Sequence, residues 1–320
     1  MKFTPAVYEH AASLIGKSPW EASRDGEMLF QGHKKAFELY HHSPVVVGID
    51  IYNLEPEAYG STIEKPKLNG IPAITHHLCS SMKEMSELPL FDPQSAGRIP
   101  MAIEAAKRLA RVLPEADVRI PVSGPFSIAS NLVRFETLLL EIVMDPASVM
   151  QALNHIVEGQ VNFCRAIVEQ GLDIAFFESA ATPPIIPPQI FSDVVLPPLK
   201  SIIDQATAIV GHPVPCIIGG DTTSILASIM ETGTGYVICP SETNQQEFME
   251  QMKKHPEVMV RINMDPLILS EGDLPAVFKE VDRVVALAKG REKVCIGTGV
   301  LPYETKPETV LQTKEYISKL

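Results

Sequence analysis

Short runs of β-branched and aliphatic residues punctuate the 320-residue chain, each followed by a polar or glycine-containing break and then a longer stretch with helical spacing. The runs lack in/out alternation, which is the mark of strands buried on both faces of a parallel sheet. They fall at Pro19–Arg24, Val45–Ile51, Val118–Gly124, Leu172–Ser179, Val214–Asp221, Gly235–Pro240, Val258–Asp265 and Val294–Val300. Eight such strands are what a closed α/β barrel requires. Helices are expected between them at Asp25–His42, Gly97–Leu113, Asp145–Gln170, Gln189–Val210, Asn244–Lys254 and Leu274–Lys289. Asp145-Pro146 and Asp193 stand where capping or first-turn residues favour a helix. A long excursion at about residues 60–91 follows the second run, and Leu68-Asn69-Gly70-Ile71 inside it reads as a hairpin turn. Insertions after barrel strands sit at the ligand-binding C-terminal face, so this one is a candidate lid or substrate wall. No linker or short repeat divides the chain, and residues 1–320 read as a single (β/α)8 TIM barrel domain.

Composition supports that reading: 45% hydrophobic and 21% charged residues, with a mean hydropathy of +0.10, suit a large core. A formal charge of −12 and the lack of any Lys/Arg cluster argue against a nucleic-acid partner. Met1-Lys2-Phe3-Thr4-Pro5 lacks the features of a signal peptide, and no apolar run reaches the ~18–20 residues of a membrane span. The five cysteines are widely spaced without a CxxC pair, as expected of reduced core thiols in the cytoplasm.

In a barrel, chemistry gathers where strands end. The second run ends in Gly48-Ile49-Asp50-Ile51-Tyr52-Asn53-Leu54-Glu55, the fourth in Phe177-Glu178-Ser179, the fifth in Asp221-Thr222-Thr223 and the seventh in Asn263-Met264-Asp265. Glu21 lies near the end of the first. Carboxylates converging on one mouth suit a metal, a cationic substrate or acid/base groups with shifted pKa values. Asp221 and Asp265 equally suit helix caps or turns. Asp50 does not, because it stands inside an apolar run where an unpaired carboxylate is costly to bury. Glu55 and His76, with Glu57 or Glu21, could hold a divalent metal such as zinc. The alternative for His76 is a solvated loop histidine.

Taken in order, several segments resemble the uroporphyrinogen decarboxylase superfamily over nearly the whole chain. Pro121–Ser130 resembles its strand-three G-x-G-x-P-x-T-x-A motif, Gly171–Ser179 its G-A-D-x-I-x-x-x-D-S segment, and Val214–Thr222 its V-P…H-x-C-G-D-T segment. Ile296–Val310 and Asp92-Pro93…Gly97-Arg98-Ile99-Pro100 resemble two further family segments. Asp50 falls at the family's catalytic aspartate. The arginine-rich R-Q-A-G-R-Y signature that binds porphyrinogen carboxylates is replaced by Trp20-Glu21-Ala22-Ser23-Arg24-Asp25-Gly26, and Thr298 and Gly299 stand at the closing histidine. Thiol-methylating relatives bind zinc through H-x-C and a later cysteine, but Ile217 and Gly219 occupy those positions. The resemblance that remains is to the first methyltransferase of corrinoid-dependent O-demethylation, carried by Gly48–Gly60.

That resemblance implies methyl transfer from a methoxylated, aromatic small-molecule donor to cob(I)alamin, a corrinoid carried by a partner protein. Asp50 and Glu178, or a metal on Glu55 and His76, would supply the proton or Lewis acid that an ether leaving group needs. Tyr52 completes the expected catalytic set, and Glu21, Asn53, Ser123, Asp221 and Asp265 are the expected substrate contacts. An asparagine at position 50 is expected to keep the fold and lose turnover, and a homodimer is compatible with this reading. Two rivals stay open. One is a decarboxylase acting on a smaller acid, with Arg24, Arg119 or Arg261 as carboxylate binder. The other is a barrel that binds the corrinoid protein without catalysis.

Overall fold

The computed structural model describes residues 1–320. Its barrel strands are β1 (Phe3–Ala6), β2 (Val45–Val46), β3 (Val118–Ser123), β4 (Asp173–Phe177), β5 (Cys216–Ile217), β6 (Tyr236–Cys239), β7 (Met259–Met264) and β8 (Val294–Val300). They pair in parallel as two four-stranded halves, β1-β8-β7-β6 and β2-β3-β4-β5. A single parallel bridge, Pro215 to Tyr236, joins β5 to β6. At the other seam the Thr4 hydroxyl donates to the Ser43 carbonyl at 3.1 Å. The result is a TIM-type barrel with helices outside.

One expected strand is a helix. Pro19–Arg24 forms α2, entered through a reciprocal capping box in which Ser18 and Glu21 each bond the other's backbone N–H, with Pro19 in the first turn. The first strand is instead Phe3–Ala6, which leads straight into α1 (Tyr8–Ser13). Glu21 therefore closes an exposed helix end and does not face the barrel mouth.

The second run keeps a ladder only at Val45–Val46. From α3 (Gly26–Tyr40), the buried His33 ring intrudes beside the strand, and Gly48 N–H donates to its Nε2 at 3.1 Å. The Gly48 carbonyl oxygen lies at the same 3.1 Å from Nε2, and burial holds the ring's pKa down at about 4, so it stays neutral. The chain then turns through Ile51–Asn53 into α4 (Leu54–Tyr59), which delivers Asp50, Tyr52 and Asn53 to the mouth.

The expected helices form with their polar starts as caps: Asp25 accepts from Met28 N–H, Asp145 from Ser148 N–H and Asn244 from Glu247 N–H. Asp193 does not cap; it lies within a π-helical turn, Phe191–Val195, and accepts from the Gln189 amide. Residues 60–91 include an antiparallel hairpin, Thr62–Glu64 with Ala73–His76, whose turn holds Leu68 at φ 54°. No helix is long and apolar enough to cross a membrane.

Most of the core is one cluster of buried apolar residues, and a second small cluster contains Ala6, Tyr8, Ile51, Ala175 and Phe177. On β4, Ile174 and Phe176 join the large cluster while Ala175 and Phe177 join the small one, as strand alternation requires. Close approach of α1 and α3 depends on Gly32, where an added Cβ would sit 2.8 Å from the Ala11 carbonyl oxygen. Gly32→Ala should therefore destabilise the protein by roughly 1–3 kcal/mol through overpacking, despite a helix-propensity gain of up to about 1 kcal/mol. Urea unfolding checks the sign; an unchanged or raised midpoint contradicts this packing.

Candidate functional site

A cavity of about 430 Å³ opens at the C-terminal ends of the strands. Its walls combine aliphatic side chains with Tyr8, Tyr52 and Phe177, and hairpin residues 71–74 close one side. Phe177 meets Tyr8 edge-on at 6.1 Å and Tyr52 edge-on at 6.3 Å between ring centroids, so the three rings form an aromatic slot.

Asp50 lines this cavity but is not free. Arg98, at the start of α5 (Ile99–Val112), donates to Asp50 Oδ1 and Oδ2 at 2.7 and 2.8 Å, and both partners are buried. The same guanidinium reaches Glu57 on α4 and the Ser23 carbonyl on α2, and Glu57 also pairs with Arg24. Asn53 Nδ2 adds a donor to Asp50 at 3.0 Å and reaches the Pro72 carbonyl of the hairpin at 2.7 Å. A carboxylate accepting on both oxygens from an arginine is committed to that pair. Asp50 is thus the fixed point of the wall, with its carboxylate turned to Arg98 and Asn53.

Tyr52 faces the cavity with its hydroxyl donated to Ser179 Oγ at 2.6 Å, while Ser179 also accepts from Gly219 N–H at 3.0 Å. Burial lifts the phenol above its usual range, so Tyr52 offers a ring and an acceptor oxygen.

The other expected polar residues lie elsewhere. Glu178 is fully buried and accepts from Phe126 N–H, Ser127 N–H and Ser127 Oγ, at the N-terminus of α6 (Pro125–Leu132). A Cβ at Gly124 would overlap this carboxylate, so the glycine makes its room. Glu178 anchors a helix and does not line the cavity. Ser123 is likewise committed, with its N–H and hydroxyl bonded to Glu55 at 2.6 and 3.1 Å. Asp221 is exposed and accepts from Thr223 and Thr243; Asp265 caps Pro266–Glu271 through Leu267 N–H. Asp265 thus takes the capping role that the sequence left open, whereas Asp221 braces the turn at Thr223 and the 3-10 helix there has Thr222 at its N-cap.

The structure does not bring the expected metal pair together: Glu55 is fully buried against Ser123, whereas His76 is exposed on the hairpin beside Glu64 at 3.1 Å. No group of three or more His, Cys, Asp or Glu side chains is placed to hold a metal ion. Ile217 and Gly219 line the cavity where the resemblance puts zinc ligands, and neither has a donor side chain. All five cysteines are buried and unpaired, with Cys216 and Cys295 in the strands as expected.

Sequence reasoning missed Glu9 and the particular disposition of Arg261. Glu9 follows β1, lines the cavity and leaves Oε2 buried without a hydrogen-bond partner. Burial, reinforced by Glu304, pushes its pKa up to about 7 against a lowering backbone hydrogen bond. It is a cavity-lining carboxyl that exchanges its proton near neutrality. The available signal was the Phe3–Ala6 strand, which leads straight into the first turn of α1, where Glu9 stands. Arg24 and Arg119 are paired away from the mouth with Glu57 and with Asp117 and Asp173, leaving Arg261 as the arginine of the cavity.

Asp50→Asn should lose roughly 3 kcal/mol of stability, because it unpairs a buried arginine that only Glu57 then neutralises. Chemical denaturation checks this against the expectation of an intact fold; a shift near zero contradicts the clamp. Glu55 supplies a pH test, since burial pushes its pKa up to about 7 despite two bonds from Ser123. The folded state then holds a proton that the unfolded chain loses at lower pH. This contribution to stability is present at low pH and is lost as pH rises through about 7. Glu55→Gln, which can keep both Ser123 contacts, should show a flatter fall in melting temperature between about pH 5 and about pH 8. Parallel wild-type and variant curves would count against a buried protonated Glu55.

Comparison with known proteins follows the same lines. The methylcobamide:CoM methyltransferase MtaA of Methanosarcina barkeri is 24% identical over 249 residues, covering 77% of this chain and 71% of the relative. A solved structure described as a methyltransferase from Methanosarcina mazei superposes with a TM-score of 0.85 at 21% identity, covering 99% of this chain and 93% of its own. A B12-independent methionine synthase from Shewanella, solved with selenomethionine, gives a TM-score of 0.55 at 10% identity, covering 92% and 86%. The family model described as uroporphyrinogen decarboxylase (URO-D) matches residues 2–320, and the chain belongs to that family.

Proposed function

We propose that this protein transfers a methyl group from a methoxylated aromatic donor to cobalt(I) of a corrinoid presented by a partner protein. The observation that carries the reading is Glu9, a carboxyl with a pKa of about 7 on an aromatic-walled cavity of about 430 Å³. Such a volume suits a substituted benzene and lies within the ordinary small-ligand range of ~300–1,000 Å³. A corrin or tetrapyrrole macrocycle exceeds it, so the corrinoid would approach the mouth from outside. The methylcobamide chemistry named for the Methanosarcina barkeri relative supports a methyl-group role.

In this scheme the ring of the donor lies among Tyr8, Tyr52 and Phe177. A corrinoid presented at the mouth would supply the nucleophile that takes the methyl group, and as the O–CH3 bond breaks Glu9 gives its proton to the departing phenolate oxygen. Products are the phenol and the methylated corrinoid; Glu9 regains its proton from solvent. Asp50, through Arg98 and Asn53, is a positioning residue that holds the wall in place. Glu178 and Glu55 support neighbouring backbone.

The test follows the cobalamin spectrum with methoxylated aromatics and, separately, with thiols. Demethylation of an aromatic ether by the wild-type protein is expected. Methylation of thiols is not, because Ile217 and Gly219 provide no thiolate-forming ligands and a free thiol keeps a pKa near ~8.5. Glu9→Gln should reduce kcat by ~10²–10⁴-fold with a smaller change in KM. Since the acid acts while protonated, the wild-type rate should fall as pH rises through about 7, and the variant should lack that limb. Efficient thiol methylation with no ether turnover would sink the proposal.

A further inference from the structure

Arg261 and Asn263 project from β7 two residues apart, which places them on the same face of the strand, and both line the cavity. Arg261 is about nine-tenths buried, at 8% exposure. Its Nε–H donates to Asn263 Oδ1 at 3.0 Å. An arginine N–H can only donate, so this bond fixes the Asn263 amide with Nδ2 directed away from it. Neither the Arg261 Nη groups nor Asn263 Nδ2 has a protein partner, and none is sealed from solvent. Space for the guanidinium comes from β8: a Cβ at Gly297 would lie 2.4 Å from Arg261 Cδ and 2.6 Å from the Thr4 carbonyl oxygen.

Three other arginines, Arg24, Arg98 and Arg119, are placed differently. Arg98 and Arg119 each meet two carboxylates, and Arg24 meets one. Arg261 forms no ion pair, although Glu9 and Glu242 line the same cavity. A largely buried guanidinium with no counter-ion keeps donor capacity that an arriving anion can fill. A guanidinium fork beside an amide N–H₂ matches the two oxygens of a small oxyanion.

We propose that Arg261 and Asn263 are the anion subsite of this cavity and that the methyl donor is a methoxylated aromatic carboxylic acid. Its carboxylate rests on Arg261 and Asn263, and its ring fills the slot of Tyr8, Tyr52 and Phe177. The aromatic-acid assignment rests on the proposed methyl-transfer reading. The anion subsite does not.

Equilibrium binding by calorimetry, with no corrinoid present, separates the two. Probes are p-methoxybenzoate, its neutral amide, methoxybenzene and mercaptoethanesulfonate, which carries a different oxyanion on an aliphatic thiol. Wild-type protein should bind p-methoxybenzoate at least ~10-fold more tightly than the amide or methoxybenzene. Arg261→Gln should remove most of that preference while leaving neutral ligands within about twofold, and Asn263→Leu should weaken the benzoate alone. The wild-type ligand series decides the matter even where a variant fails to fold. Equal binding of the acid and its amide overturns the subsite. Binding of the sulfonate without the aromatic acid overturns the aromatic assignment. Selective binding of the acid without methyl transfer counts against the proposed reaction and leaves the subsite standing.

Discussion

The forked ion pair of Arg98 with Asp50 is the interaction on which the mouth of the barrel depends. One guanidinium joins the turn that follows β2, the backbone of α2 and the side of α4, segments that share no continuous secondary structure. Asp50 passes the constraint to Asn53, and Asn53 passes it to the hairpin carbonyl of Pro72. A buried pair gains little over a well-packed apolar contact, yet removing one partner is severe because the other charge is stranded. The pair therefore acts chiefly by geometry: it makes a turn, an insertion and two helices into one wall.

Against that wall the cavity is electrically uneven. Its best-placed carboxylate is neutralised, Glu9 is favoured as the neutral acid, and Arg261 stands without a counter-charge. The chain is strongly acidic overall, with a formal charge of −12, but this does not describe its concave interior. Net charge speaks for the outer surface, whereas burial and local pairing decide the charge inside.

Much of the architecture was legible because strands buried on both faces leave continuous apolar runs. Val118–Ser123, Met259–Met264 and Val294–Val300 lie where such runs predict them, and the family motifs span the same order. The first strand was not legible. Phe3–Ala6 is short, and Pro19–Arg24 drew the assignment even though Ser18-Pro19 and Glu21 spell a capping box. Losing that strand hid Glu9 with it. The site was harder for another reason: whether a carboxylate at a strand end is reactive depends on partners far along the chain. Glu55 meets Ser123, Glu178 meets Ser127 and Asp50 meets Arg98, and no local spacing announces those meetings. Asp265, whose partner is local, could be read as a cap from residue type alone.

The barrel is two ladders meeting at two thin seams, one crossed by a single bridge and the other by the Thr4 hydroxyl. The cavity straddles them. Tyr8, Glu9, Arg261 and Asn263 belong to one shell, and Asp50, Tyr52, Phe177 and Ser179 to the other. A ligand touching Arg261 and Phe177 together therefore acts as a rivet between two shells that the backbone only tacks. Its affinity becomes mechanical cohesion of the barrel, in proportion to the logarithm of its concentration over its dissociation constant.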